Sequence, residues 1–212
     1  GDCPPDELRK MPRCLEQVEA VRQFRLASKS AGTVKLAATP TRFHVENMPS
    51  SAYLLIPRVS SERRRYIPIG FMAPDALTSD SAHIIPNAAL YHFGVLTSNV
   101  HMAWMRAVCG RLKSDYRYSK DVVYNNFPWP SPSPAQRAKI EQTAQAVLDA
   151  RALYPEASLA DLYDERSMPP KLRTAHQNND RAVMQAYGFP IGQTSESQCV
   201  AQLMRMYQKL AN

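Results

Sequence analysis

The chain has 212 residues and a net charge of +7, with 44% hydrophobic and 8% aromatic residues. That balance excludes a disordered chain, and no run of 18 apolar residues is present to span a membrane. The charge is uneven: from Arg22 to Lys120 fourteen Lys/Arg face five Asp/Glu, whereas residues 131–212 carry nine against eight.

A basic half attracts phosphate by releasing condensed counterions, whatever the base sequence. The first fifteen residues are polar and contain prolines, so they read as no signal peptide, and Gly1 in place of Met reads as a tag remnant or an internal cut. Cys3, Cys14, Cys109 and Cys199 form no C-x-x-C pair and have no histidine at ligand spacing. They read as reduced thiols of a cytoplasmic protein without structural zinc.

From Pro5 to Ser28 the apolar positions Met11, Leu15, Val18, Val21 and Phe24 lie near helical spacing, with Pro12 dividing two helices. A loop follows at 28–33. Short runs at 34–36, 42–45, 53–59, 66–71 and 83–86 are rich in Val, Ile, Tyr and Phe, with turn residues between them, including MPSS at 48–51. They predict a compact sheet of four to six strands, edged or bulged at Pro57 and Pro68. Residues 98–112 return to helix, with Thr97 or Ser98 as its cap. The segment 128–135 holds four prolines and marks a boundary. Helices follow at 135–153, 159–163, 171–187 and 195–210, with Pro169-Pro170 and Gly188 as start and stop. The expected class is α+β: a small mixed sheet flanked by N-terminal helices and a C-terminal all-helical segment, divided as 1–29, 30–130 and 131–212.

No catalytic centre is legible. Amino-group methylation of a base needs a glycine-rich turn for the methyl donor and an Asp/Asn-Pro-Pro-aromatic motif. Asn126-Phe127-Pro128-Trp129 puts Phe where the first proline belongs. Pro74-Asp75 begins a nuclease pattern that no Glu-x-Lys completes, and no metal site is expected. His92 and His101 fall in an apolar run and read as core or capping residues. Two basic segments remain. Residues 60–65, SSERRR, place Arg63, Arg64 and Arg65 on a turn, with Arg58 just before it. Residues 110–126 interleave Arg111, Lys113, Arg117 and Lys120 with Tyr118 and Asn125. Guanidinium and ammonium groups grip phosphates, Asn pairs with adenine, and tyrosine stacks on bases. The alternative for both is a solvated charged surface, in a non-catalytic helical module that binds protein or RNA.

Residues 53–71, 89–130 and 148–188 carry a further signal. YLLIPRVSSERRRYIPIGF, ALYHFGVLTSNVHMAWMRAVCGRLKSDYRYSKDVVYNNFPWP and the run from Leu148 to Gly188 resemble the C-terminal region of MmeI-like enzymes. Those are single-chain type II restriction–modification proteins and stand-alone class I adenine methyltransferases. The first two stretches resemble the family's target recognition domain, and the third its C-terminal helical segment. The resemblance implies a sequence-specific reader of double-stranded DNA, approaching through the major groove while an adenine is flipped. It implies a parent protein with an upstream methyltransferase domain that binds S-adenosylmethionine, with no cofactor in the present residues.

Overall fold

The computed structural model describes residues 3–46 and 49–211. Gly1 and the first residue of the 48–51 turn lie outside the described residues. The chain divides into two compact units, 1–48 and 49–212.

In the first unit, α1 (Pro5–Arg9) and α2 (Pro12–Leu26) each begin with proline, whose fixed φ and missing N–H suit a first helical turn. Residues expected as a strand at 34–36 are instead helical. Ser30 accepts the Thr33 N–H and starts α3 (Ala31–Lys35), which a 3₁₀ turn, Leu36–Ala38, continues. The local cap outweighs the β-propensity of Val34. Residues 42–45 form no strand either; Glu46 accepts the Phe43 N–H and pairs with Arg42, folding the segment onto itself. Arg25 donates to the carbonyls of Leu36, Thr39 and Arg42 at 2.7–2.9 Å, fastening this stretch to α2. Ala37 alone is a buried hydrophobic residue among the described residues here, and Phe24 is 77% exposed.

In the second unit, β1 (Tyr53–Pro57) is the centre of an antiparallel sheet between β3 (Gly70–Met72) and β4 (Ala82–Pro86). Leu54 faces Phe71 on one side and Ile85 on the other. Pro57 ends the strand; the Arg58 N–H turns to Ser81, and the chain enters a second sheet as β2 (Val59–Ser60). The single mixed sheet of the sequence reading is thus two three-stranded antiparallel sheets, and the α+β class holds. Of the strand expected at 66–71, only its end is paired. Tyr66, Ile67 and Ile69 flank Pro68 and fill the core as irregular chain.

Two helices follow: α4 (Leu90–Leu96) and α5 (Asn99–Val108), the latter capped by Ser98, whose hydroxyl accepts the His101 N–H. The helix expected to reach Leu112 stops earlier, because Cys109 turns extended and Gly110–Leu112 is β5. A two-residue turn leads to β6 (Asp115–Arg117), completing the order β2-β6-β5, and Lys120–Tyr124 forms one π-helical turn. Then come α6 (Pro134–Ala152), opened by a Ser133–Gln136 capping box, α7 (Leu159–Leu162), α8 (Pro170–Ala186) and α9 (Glu196–Ala211). Gly188, at φ 70, ends α8 in the left-handed conformation.

One core joins these pieces. Phe93, Leu96, Met102 and Trp104 lie in the same buried cluster as Ile140, Val147, Leu172 and Val183. Gly94 lets α4 and α6 meet: a Cβ there would stand 2.7 Å from the Ile140 methyl. The proline segment is pinned to this core by Tyr187, which donates to the Pro128 carbonyl at 2.8 Å. Among the described residues no helix is long and apolar enough to cross a membrane.

Candidate nucleic-acid interface

The sheet β2-β6-β5 gathers most of the expected residues. Val59 and Gly110 flank Arg117, while Ser60 and Arg111 flank Tyr116, so strand alternation sends these two rows to opposite faces. On the inner face the guanidinium of Arg111 lies 4.1 Å over the Tyr116 ring. Beside it opens a cleft of about 510 Å³ whose lining includes Arg63, Arg64, Arg65, Arg106, Glu196 and Tyr116. On the outer face Arg117 is exposed next to exposed Val59 and Leu112. Lys113 occupies the hairpin tip at φ 56, a left-handed conformation that lysine rarely adopts. The arginine turn and the hairpin are therefore brought together, though on two faces of a sheet rather than one concave surface.

The cations differ in what they already hold. Arg58 donates to the Asp80 carbonyl at 2.7 Å. Arg111 donates to Ser114 O and approaches Glu62 at 3.8 Å. Lys120 pairs with Asp121, and Arg65 lies over Tyr66. The side chains of Arg63, Arg64, Lys113 and Arg117 make no ion pair among the described residues. These four are uncommitted charges. Exposed pairs such as Lys120–Asp121 contribute little to stability and can open to a phosphate.

Tyr118 is a correction to the sequence reading. Its ring is 2% exposed, and its hydroxyl bonds His101 Nε2 at 2.9 Å, so it cannot stack on a base. Burial raises its pKa far above the ordinary tyrosine range. Burial likewise drives His101 down to about 3, which keeps that imidazole neutral. Asn125 is exposed and turned back towards Asp121 at 3.5 Å. His83 contacts the Tyr118 carbonyl at 3.3 Å and titrates below its usual value, through burial first and then through Arg58 and Lys120. Phe127 and Trp129 of the Asn126–Trp129 stretch pack on each other in the core region. Among the described residues no three His, Cys, Asp or Glu side chains are grouped to hold a metal ion, and the four cysteines are free thiols.

Sequence reasoning missed His176, Asn179 and Asp180. All three are buried on α8, where Leu172, Ala175 and Val183 share their face. Polar residues at helical spacing within an apolar stripe were the available signal.

Two family profiles tile the chain: "MmeI, target recognition domain" matches residues 1–131, and "MmeI, C-terminal domain" matches residues 132–212. The chain belongs to the MmeI family. It is 35% identical over 205 residues to DNA methyltransferase A of Bacillus subtilis (strain 168), covering 97% of this chain and 23% of that protein. It also matches the solved structure of the type IIL restriction–modification enzyme MmeI in complex with DNA. The TM-score there is 0.93 at 44% identity, over 99% of this chain and 28% of that one. The chain thus spans about a quarter of the length of these two relatives. Arg63, Arg64, Lys113 and Arg117 all fall in its target recognition domain, whereas α6 to α9 belong to its C-terminal domain.

Proposed function

We propose that this chain binds double-stranded DNA through the sheet β2-β6-β5 and serves as the sequence-recognition part of an S-adenosylmethionine-dependent adenine-N6 methyltransferase. The observation that carries this reading is a two-stranded ribbon, β5 and β6, with uncommitted cations at its tip, on its outer face and in the adjoining turn. A β-ribbon fits the B-form major groove, and flanking cations meet the phosphate walls on either side. The relative solved with DNA supports the choice of ligand.

Residues 30–130 do the reading, 1–29 lead into them, and 131–212 form the supporting helical part. The methyl donor belongs to an upstream methyltransferase domain of the same polypeptide. In support of that placement, the cleft beside Tyr116 is lined by guanidinium and carboxylate groups, and the sequence carries no glycine-rich turn. No step of methyl transfer is assigned to this chain, and the parent protein works in a bacterial cytoplasm.

Fluorescence anisotropy with a labelled duplex tests the reading. Affinity is expected to fall by about a hundredfold or more between about 50 and about 300 mM salt. Duplex RNA should compete poorly, because its major groove is too narrow for the ribbon. Salt-independent binding, or equal competition by duplex RNA, would reject the reading.

A further inference from the structure

The last residues of the arginine turn are held by helices of both family domains. The Tyr66 hydroxyl donates to Asp180 Oδ2 at 2.7 Å, and Asp180 Oδ1 accepts the Asn99 backbone N–H at 2.8 Å. Asn99 is the first residue of α5, so one carboxylate on α8 ties the turn to the start of another helix. The Tyr66 ring stacks on His176, one helical turn before Asp180, with centroids 4.2 Å apart. Arg106 of α5 donates to the Arg65 carbonyl at 3.3 Å while gripping both carboxylate oxygens of Glu196 on α9.

Asp180 is 5% exposed and has no cation at ion-pair distance among the described residues. Burial lifts its pKa to about 6, opposed by the Tyr66 and Asn99 bonds and by the more distant Arg65 and Arg106. A buried carboxylate without a counterion costs folding energy, and an apolar side chain would stabilise the helix packing better. What the carboxylate supplies is geometry: two directed bonds to two elements that would otherwise slide.

We propose that Asp180 is a positioning residue, fixing the turn so that Arg63 and Arg64 are presented to DNA, and that the C-terminal helices therefore act in binding without touching the duplex. This rests on the duplex-binding reading above and deepens it.

The test uses the full chain with Tyr66→Phe and Asp180→Asn, and Tyr187→Phe as a control that removes a hydroxyl bonded elsewhere, to Pro128. Tyr66→Phe and Asp180→Asn are expected to weaken duplex binding about fivefold to tenfold, with the salt slope falling by about two as both arginines disengage. Tyr187→Phe should leave affinity and slope at the wild-type values, which separates positioning from general destabilisation. In the same variants, amide exchange should accelerate at 61–66 and stay unchanged at 110–117. Unchanged slope and unchanged exchange at 61–66 would overturn the proposal. A wild-type chain that fails to bind DNA would reject the duplex reading, while the exchange pattern still decides whether Asp180 sets the turn. Should Asp180→Asn fail to fold, Tyr66→Phe, which leaves the carboxylate to Asn99, carries the same measurements.

Discussion

The turn at 61–65 and the hairpin of β5 and β6 share a sheet and carry similar charge, yet they are held in different ways. The turn closes on α5, α8 and α9 through Tyr66, through Arg65 and across the cleft that Arg65 lines. The hairpin is anchored at its base, where Tyr116 and Tyr118 are buried, and its tip carries only exposed side chains, Leu112, Lys113 and Ser114. A braced turn keeps guanidinium groups at fixed spacing, which suits a phosphate backbone that repeats regardless of sequence. At the bare tip a side chain can be exchanged without disturbing the core. Rigidity and tolerance to change thus sit one strand apart.

Acidification attacks both supports and carries the largest expected effect. His176 lies under the turn and His101 under the hairpin, and burial holds each near 3. The unfolded chain takes up these protons below about 6.5, so stability is complete above that value and is lost as pH falls towards 3. The loss should be on the order of several kcal/mol by denaturant titration. Asp180 acts oppositely: with its pKa raised to about 6, it favours the folded state as pH drops from there towards 4. Asp180→Asn should therefore steepen the acid limb, and a limb left parallel to wild type would contradict its burial.

Next in size is the joint replacement of Arg63, Arg64, Lys113 and Arg117 by alanine. Affinity for duplex at low salt should fall by about a thousandfold, and the salt slope by about four. A slope unmoved would take this sheet out of the interface. Singly, Lys113→Ala and Arg117→Ala should each cost about tenfold on all duplexes alike, with the slope falling by about one. A loss confined to one base pair would show instead that the side chain reads a base edge. The smallest effect separates surface from core: Tyr118→Phe should lower stability by about 1 kcal/mol and leave DNA affinity within about twofold.

What could be read from the sequence was what local chemistry decides. Pro5, Pro12, Ser98, Ser133, Pro170 and Gly188 mark helix ends because a cap or a missing N–H acts within a few residues. The strands were harder, since Val34 and the 42–45 run have β-propensity but no partner strand among the described residues, and pairing is non-local. Helix α4 escaped notice because Tyr91 and Phe93 to Leu96 are all buried, leaving hardly a polar face to reveal the period. The proposed binding residues were chosen by charge. Their division was not legible, because taking 98–112 as one helix hid the two-residue alternation that turns Arg117 outward and Tyr116 and Tyr118 inward.

The proline segment from Pro128 to Pro134 has a consequence for recombination. It looks like a seam, and the two family profiles meet within it, but the interior packing runs straight through. A chimera joined there would inherit Tyr66 and Gly94 from one parent and Asp180, Ile140 and Asn179 from the other. Such hybrids should survive only when both parents solved these contacts in the same way, so the two halves are expected to descend as a matched set.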